Sequence, residues 1–171
     1  MTEAEIIIEQ ATPADLCELL KLLASVGLPA EGVADGLEHF LVARDKAGQA
    51  VGCIGLERHG ELGLLRSAAV NRAMQGTGLG SRLTAALLAR ARAAGLHEIV
   101  LLTNTARDFF AHKFGFTEID RASYDARLAA STEWQLPRCA TAALMKLTLR
   151  DSAGTSVRTS PSRRKRGVTI D

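Results

Sequence analysis

The chain has 171 residues, of which 47% are hydrophobic and 23% charged, a composition typical of one globular domain with a substantial core. No apolar run is long enough to cross a bilayer, and the acidic N-terminus lacks the basic start of a signal peptide. The three cysteines form neither a disulfide framework nor a CxxC pair, so we expect a reducing, cytoplasmic location.

The net charge of +2 is unevenly distributed along the chain. Residues 150–171 contain six Arg or Lys and two Asp, so this segment carries +4 and the body about −2. Its Ser, Thr, Gly and Pro content predicts a disordered tail behind a folded domain of residues 1–149. Because the basic character belongs to the tail, we expect neither a nucleic acid nor a membrane as partner.

The first half of the domain predicts a strand, a helix and three more strands. A β-branched run predicts a strand over residues 5–10, and Thr12 and Pro13 predict the start of a helix with leucines at helical spacing. Three strand-like runs follow, and the short turns between them predict antiparallel neighbours. The runs cover residues 40–44, 51–56 and 62–70.

The second half predicts alternating helices and strands. A helix over residues 79–94 carries Leu79, Leu83, Leu87 and Ala91 on one stripe. The elements after it are a strand over residues 99–102, a short helix over 109–113, a strand over 116–119, a helix over 125–130 and a closing strand over 140–149. The predicted order is therefore β-α-β-β-β-α-β-α-β-(α)-β.

A glycine-rich segment between the fourth strand and the second helix is the most informative motif. Glycine on three alternate positions leaves the main chain bare, so that its amides and the helix dipole can converge on a phosphate or pyrophosphate. The spacing fits neither a Walker loop nor a dinucleotide fingerprint. A simple strand-to-helix turn is the alternative, although it needs fewer glycines. The segment is Gln75-Gly76-Thr77-Gly78-Leu79-Gly80-Ser81.

This motif, Gln75-x-x-Gly78-x-Gly80, resembles the acetyl-CoA pyrophosphate loop of the GNAT N-acetyltransferase superfamily. A later block, from Asn104 to Phe110 and ending in Phe114-Gly115-Phe116, resembles the next conserved block of that superfamily, and the likeness covers residues 40–119. It implies a single α/β domain whose mixed, mostly antiparallel sheet is splayed between strands four and five, with helices on both faces. It also implies acetyl-CoA as co-substrate and no metal.

The same resemblance implies a set of cofactor contacts. In the superfamily the loop amides hold the pyrophosphate and the pantetheine lies between the splayed strands, where a free backbone N–H, here near Val70, polarises the thioester carbonyl. An ordinary sheet role for Ala69 and Val70 is the alternative. The superfamily's tyrosine acid corresponds to Ala111, so a tyrosine acid is not expected. The implied cofactor-binding residues are Ala69, Val70, Phe110 and the loop residues Gln75, Gly76, Thr77, Gly78, Leu79, Gly80 and Ser81.

Within the superfamily, residues 64–70, 101–106 and 132–137 resemble the arsenic-resistance N-acetyltransferases. The block LLT-x-T-A-x-x-F, over residues 101–109, is also shared with the acetyltransferase domain of glutamate N-acetyltransferases. This narrower likeness implies a small amine substrate that carries an α-carboxylate, with an arsenic-containing amino acid as one candidate.

Two charged residues are candidates for substrate chemistry. Arg66 lies in an apolar run, and its partner is either a substrate carboxylate or an internal carboxylate, Glu57 or Glu61. Glu57 is a candidate base that deprotonates the substrate ammonium, although an exposed glutamate at a strand end is the commoner finding. Glu133 and His112 are weaker candidates for the same role.

Thr103 and Asn104 follow an apolar strand, opposite the expected splay. They bind substrate or pantetheine in one interpretation, and in the other Asn104 or Thr105 caps the next helix. We expect an N-acetyltransferase that acts on the primary amine of a small amino-acid-like molecule in a ternary complex, and family habit implies a homodimer. Two rivals stay open: a non-catalytic acyl-CoA-binding module and a peptide or protein acetyltransferase.

Overall fold

The computed structural model describes residues 5–149, so the predicted tail lies outside the described residues. The predicted order of elements is confirmed apart from one additional short helix before the last strand, and the strand over Leu62–Val70 has the predicted bounds. The strands are β1 (Ile7–Gln10), β2 (Phe40–Arg44), β3 (Ala50–His59), β4 (Leu62–Val70), β5 (Glu98–Thr103), β6 (Thr117–Ile119) and β7 (Ala143–Thr148). The helices are α1 (Leu16–Ser25), α2 (Leu79–Ala93), α3 (Arg107–Phe114), α4 (Asp125–Leu128) and α5 (Thr132–Gln135).

The seven strands form one sheet in the order β1-β2-β3-β4-β5-β7-β6. Only β4 and β5 pair in parallel, and the other five neighbouring pairs are antiparallel. The predicted mixed, mostly antiparallel α/β sheet is therefore confirmed. The position of β7 between β5 and β6 was not predicted, because it depends on contacts between residues far apart in sequence.

Helices cover both faces of the sheet, and alternate strand residues serve the two sides. On β2, Leu41 packs towards α2 and α3, whereas Val42 packs towards α1. On β4, Leu65 faces α2, whereas Leu64 joins the cluster that contains Trp134 of α5. The sheet therefore separates a face covered by α2 and α3 from a face shared by α1 and the short helices α4 and α5.

The start of α1 shows how the sequence sets a helix boundary. The Asp15 carboxylate accepts a hydrogen bond from the backbone N–H of Thr12 at 2.8 Å, and Pro13 opens a short 3-10 turn before α1. A proline fits at this position because the first backbone N–H groups of a helix have no partner inside the helix.

Close approach between β2 and β3 gives a first prediction. A Cβ added at Gly55 would overlap the ring of Phe40, which is buried on the facing strand. We expect Gly55→Ala to lower the free energy of unfolding by about 1–3 kcal/mol, measured by urea denaturation. Gly36→Ala is the matched control, because its Cβ would lie 3.7 Å from its nearest neighbour, the carbonyl oxygen of Gly32. Equal losses in the two variants would contradict the packing argument.

Candidate active site

The glycine loop joins β4 to α2 and presents a bare surface. Gly76 and Gly78 adopt left-handed backbone conformations, with φ of 82° and 87°. A Cβ added at either glycine would meet nothing within 4 Å. Gln75 Nε2 donates to the carbonyl of Val70 at 3.2 Å, and Thr77 Oγ1 donates to the carbonyl of Met74 at 2.6 Å. These two side chains therefore fasten the loop while its glycines face open space.

Most backbone amides of this loop are free to bind a ligand. The N-cap of α2 is Gly78, which brings no capping side chain. The amides of Gln75 and Thr77 reach only distant carbonyls, both at 3.4 Å. A row of free donors at the start of a 15-residue helix favours an anion. Amides without an acceptor among residues 5–149 belong to Gly76, Gly78, Leu79, Gly80 and Ser81.

Next to this loop, β4 and β5 part. In their parallel ladder, Leu62–Leu65 of β4 pairs with Glu98–Leu101 of β5, and the pairing ends there. Beyond it β5 continues to pair with β7 as far as Thr103, whereas β4 continues along β3 as far as Val70. The last five residues of β4 therefore border a gap in the middle of the sheet.

A bulge in β4 lies at the point where the strands part. Arg66 pairs with Gly55 and Ala69 pairs with Cys53, so that two residues of β4 oppose a single residue of β3. Ser67, one of the two, has a φ of 57°, an uncommon value for a residue other than glycine. A bulge of this kind bends the strand and redirects its later residues.

The backbone donor that faces the gap belongs to Val70. The N–H of Asn71 donates to the carbonyl of Val51 on β3 at 2.8 Å. Since successive N–H groups of a strand point to opposite edges, the N–H of Val70 points away from β3 and towards the gap. Ala69 is directly paired with Cys53, so its amide faces β3. Of the two predicted residues, Val70 therefore holds the available donor.

Arg66 is held in an internal ion pair. Its side chain is only 1% exposed, and its Nη1 donates to Glu57 Oε1 at 2.8 Å. Nη2 donates to the carbonyl of Glu31 at 2.5 Å, and Nε donates to Ser67 Oγ at 3.2 Å. Each nitrogen of the guanidinium thus has a protein acceptor. The structure therefore favours the internal partner over a substrate carboxylate, and that partner is Glu57 instead of Glu61.

Glu57, the predicted base, is surrounded by donors. Besides Arg66, it receives hydrogen bonds from Ser131 Oγ at 2.6 Å and contacts His59 Nε2 at 3.1 Å. Burial acts to raise the pKa of Glu57, but the hydrogen bonds from Ser131, His59 and Arg66 together hold that pKa below 4.5. An ionised carboxylate with so many donors accepts a further proton poorly.

Glu133, the weaker candidate, lies beside the same guanidinium. Its Oε2 is 3.6 Å from Arg66 Nε and has no hydrogen-bond partner among the described residues. Burial raises the pKa of Glu133 to about 7, against the opposing effect of Arg66 and with a further contribution from Glu57. The helix α5 that carries it was not predicted, so the sequence did not place Glu133 next to Arg66.

The two neighbouring phenylalanines of α3 pack differently. Phe110 is buried in the core, with its ring against Phe109 and Phe116 at centroid distances of 5.0 and 5.5 Å. The ring of Phe109 instead borders the glycine loop, where a Cβ at Gly80 would lie 3.9 Å from Phe109 Cζ. Phe109 is therefore the aromatic neighbour of the loop, whereas the contact of Phe110 with the cofactor stays a prediction.

Thr103 organises the turn before α3. Its Oγ1 accepts hydrogen bonds from the amides of Thr105 and Ala106 at 3.3 and 2.9 Å, whereas the side chain of Asn104 is exposed. The turn-capping role therefore belongs to Thr103. The hydroxyl of Tyr124 donates a hydrogen bond to Glu98 at the start of β5, the end opposite Thr103.

Two other features of residues 5–149 bear on the class of site. No cluster of three or more His, Cys, Asp or Glu side chains is arranged to hold a metal ion in this part of the chain. In the same residues, no helix combines the length and hydrophobicity needed to span a membrane.

Comparisons with known proteins agree with this geometry. Residues 36–118 match the family model described as the acetyltransferase (GNAT) domain, a range that contains β2 to α3 and the glycine loop. No curated protein matches the chain in sequence.

Several solved structures share the fold of this chain, but their sequence identities are too low to show more than a common fold. Rv2747 from Mycobacterium tuberculosis, solved in complex with CoA, is 24% identical, with a TM-score of 0.68 over 84% of this chain and 99% of that one. Ard1 from Thermoplasma volcanium is 20% identical, with a TM-score of 0.66 over 85% of this chain and 98% of that one.

A third structure belongs to a longer protein. N-acetylglutamate synthase from Neisseria gonorrhoeae, solved with coenzyme A and N-acetyl-glutamate, is 22% identical, with a TM-score of 0.67 over 87% of this chain. This chain spans only 36% of that synthase. The free loop amides and the parted strands lie within residues 36–118, the part of the chain that matches the acetyltransferase (GNAT) domain, and both features agree with an acetyl-CoA-dependent acetyltransferase.

Proposed function

We propose that this protein transfers the acetyl group of acetyl-CoA to the primary amine of a small, amino-acid-like molecule, by direct attack in a ternary complex. The observation that carries the proposal is a set of five amides at the start of α2, beside the gap between β4 and β5, that have no acceptor within residues 5–149. An anion-binding helix start and an open strand edge suit the two ends of one ligand, a diphosphate and an amide-containing pantetheine arm.

The cofactor would be bound largely by main-chain groups. The diphosphate would accept hydrogen bonds from the loop amides, with Gln75 and Thr77 holding the loop in shape. The pantetheine arm would lie along the free edge of β4 like an added strand. This arrangement would bring the thioester carbonyl to the N–H of Val70, while Ala69 contributes packing alone.

The chemistry then follows from position and charge. A neutral amine attacks the thioester carbon, negative charge develops on the carbonyl oxygen, and the N–H of Val70 stabilises it. The C–S bond breaks and the coenzyme A thiolate leaves. Holding the two reactants together supplies much of the rate. Since α3 carries Ala111 where the superfamily has a tyrosine, the thiolate takes its proton from the solvent or the substrate.

The acceptor would bind on the sheet face shared by α1 and α5. Arg66 lies on that face at the start of the gap, and Glu31 and Glu133 reach it from two other segments. The binding of N-acetyl-glutamate by the Neisseria gonorrhoeae synthase supports an amino-acid-like acceptor. The predicted arsenical amino acid, the role of Thr103 and Asn104 in substrate binding, the homodimer and the division at residue 149 stay predictions.

An amine panel tests the proposed function. Thiol release from acetyl-CoA by the full-length protein is measured with glutamate, other amino acids, arsenical and phosphinic amino acids, and a lysine-containing peptide. We expect release with at least one small amino-acid-like amine and little with the peptide. Turnover of the peptide alone would favour a peptide acetyltransferase. Tight acetyl-CoA binding without release on any amine would identify a binding module and overturn the proposal.

The glycine loop gives a prediction about cofactor binding. Gly78 and Gly95 lie at opposite ends of α2, with φ of 87° and 79°, and a Cβ at either would meet nothing within 4 Å. Alanine at each position should cost the fold about 1 kcal/mol through the same backbone strain. We expect Gly78→Ala to weaken acetyl-CoA binding tenfold or more in calorimetric titration, because its methyl group faces the ligand, and Gly95→Ala to leave binding unchanged. Equal affinities in the two variants would argue against the loop as the cofactor site.

A further inference from the structure

One buried oxygen, in the region proposed to bind the substrate amine, has no hydrogen bond among the described residues. Among residues 5–149, Oε2 of Glu133 is the one buried side-chain polar atom without a hydrogen bond, and the Glu133 side chain is only 9% exposed. Leaving a buried carboxylate oxygen without a donor costs free energy, and such atoms in native proteins are normally satisfied by protein, water or ligand. We therefore expect this oxygen to accept a hydrogen bond from a donor outside the described residues.

The charges around Glu133 indicate which kind of donor fits. One guanidinium, Arg66, faces two carboxylates, and Glu57 takes the closer and better hydrogen-bonded position at 2.8 Å against 3.6 Å for Glu133. These three side chains form a cluster, and when both carboxylates are ionised the cluster has a net charge of −1. A cation that donates hydrogen bonds, such as a substituted ammonium, would satisfy the free oxygen and balance that charge.

The cluster lies within reach of the proposed reaction. Arg66 follows Leu65, the last residue of β4 that pairs with β5, so the cluster stands where the gap opens. In the β3 register, Arg66 is opposite Gly55 and Val70 is opposite Gly52, which corresponds to about 10 Å along the strand. This separation is longer than one water spans, so a proton from an amine beside Val70 would reach the cluster along a short chain of waters.

The titration of Glu133 agrees with a role in proton transfer. Burial raises its pKa to about 7, close to physiological pH, whereas the pKa of Glu57 stays below 4.5. The charged and titratable groups that face Glu133 are Arg66 from β4, Glu57 from β3 and Cys139 from the C-terminal segment, and Cys139 is in turn faced by Arg138 and Arg121.

We propose that Glu133, and not Glu57, is the general base of the acetyl transfer, and that its free Oε2 takes a proton from the acceptor ammonium through water. This inference rests on the proposed function. The ammonium loses one proton to Glu133, its lone pair forms the C–N bond, and the C–S bond breaks. The nitrogen then gives a second proton to the departing thiolate, and Glu133 returns its proton to the solvent.

In this scheme the ion pair beside Glu133 has a positioning role. Glu57 and the carbonyl of Glu31 fix the guanidinium of Arg66, and the guanidinium in turn lies against the Glu133 carboxylate. Glu57 keeps the Arg66 guanidinium oriented while Glu133 exchanges protons. The two carboxylates therefore differ in function because they differ in the number of donors that they receive.

The variant Glu133→Gln tests the assignment in the full-length protein, because glutamine has almost the same shape and cannot take the proton. With the best amine of the panel, kcat/KM of the wild type should rise with pH through an apparent pKa near 7. We expect Glu133→Gln to lower kcat/KM at least 100-fold at pH 7. The deficit should shrink at pH 9.5, where more of the amine is already neutral, and the Kd for acetyl-CoA should not change.

Two further variants make the outcome decisive. Glu118→Gln removes a half-exposed carboxylate that pairs with Arg107 on the surface, and it should keep the wild-type profile. Glu57→Gln should lower the melting temperature, because it leaves Arg66 without its main partner, yet keep the rise of kcat/KM near pH 7. The proposal is overturned if Glu133→Gln retains activity within threefold, if its deficit is the same at both pH values, or if Glu57→Gln alone abolishes the rise. A wild type that binds acetyl-CoA but acetylates no amine would remove the proposed function and this assignment together, and it is recognised by the missing wild-type rate.

Discussion

The early end of the β4–β5 ladder is the constraint on which the rest of the site depends. Four residue pairs, from Leu62–Glu98 to Leu65–Leu101, are all that joins the two strands, although both continue beyond them. β5 stays with β7, β4 stays with β3, and the bulge at Ser67 bends β4 at the point of separation. Backbone groups in the middle of a sheet need partners, so the open edge is suited to a ligand that carries amides of its own.

The covalent chain then fixes the two halves of the proposed cofactor site relative to each other. Val70, the last residue of β4, turns its N–H to the gap, and the glycine loop begins only a few residues later. The carbonyl-binding donor and the diphosphate-binding amides therefore belong to one continuous segment anchored by a central strand at one end and by α2 at the other. Main-chain donors cannot change rotamer, so this arrangement is preorganised for a ligand that needs fixed polar contacts.

Much of this could be predicted from sequence, because the signals are local. Turns and apolar runs predicted the strands Phe40–Arg44 and Leu62–Val70 with their observed bounds, and alternate glycines predicted the bare loop. The pairing of Arg66 with Glu57 was one of the predicted alternatives, because their strands are neighbours along the chain. The approach of Glu31 and Glu133 to the same guanidinium could not be predicted, since these residues come from two other segments. The helix Thr132–Gln135 is too short to show a period, and one helical turn cannot decide which of Phe109 and Phe110 enters the core.

The cluster of Arg66, Glu57 and Glu133 also shows that a residue of a proposed site can lower the stability of the fold. Because burial raises the pKa of Glu133 to about 7, the folded chain holds a proton there that the unfolded chain, with a pKa near 4.5, has lost. Between these values the folded state binds more protons, so this group's contribution to stability falls as the pH rises from 4.5 to 7. Glu57 acts in the opposite sense, since its lowered pKa gives stability that is present above pH 4.5 and lost as the pH falls. The two carboxylates beside one guanidinium thus have different roles. Glu57 stabilises the fold, whereas Glu133 remains in a protonation equilibrium that a substrate amine can shift.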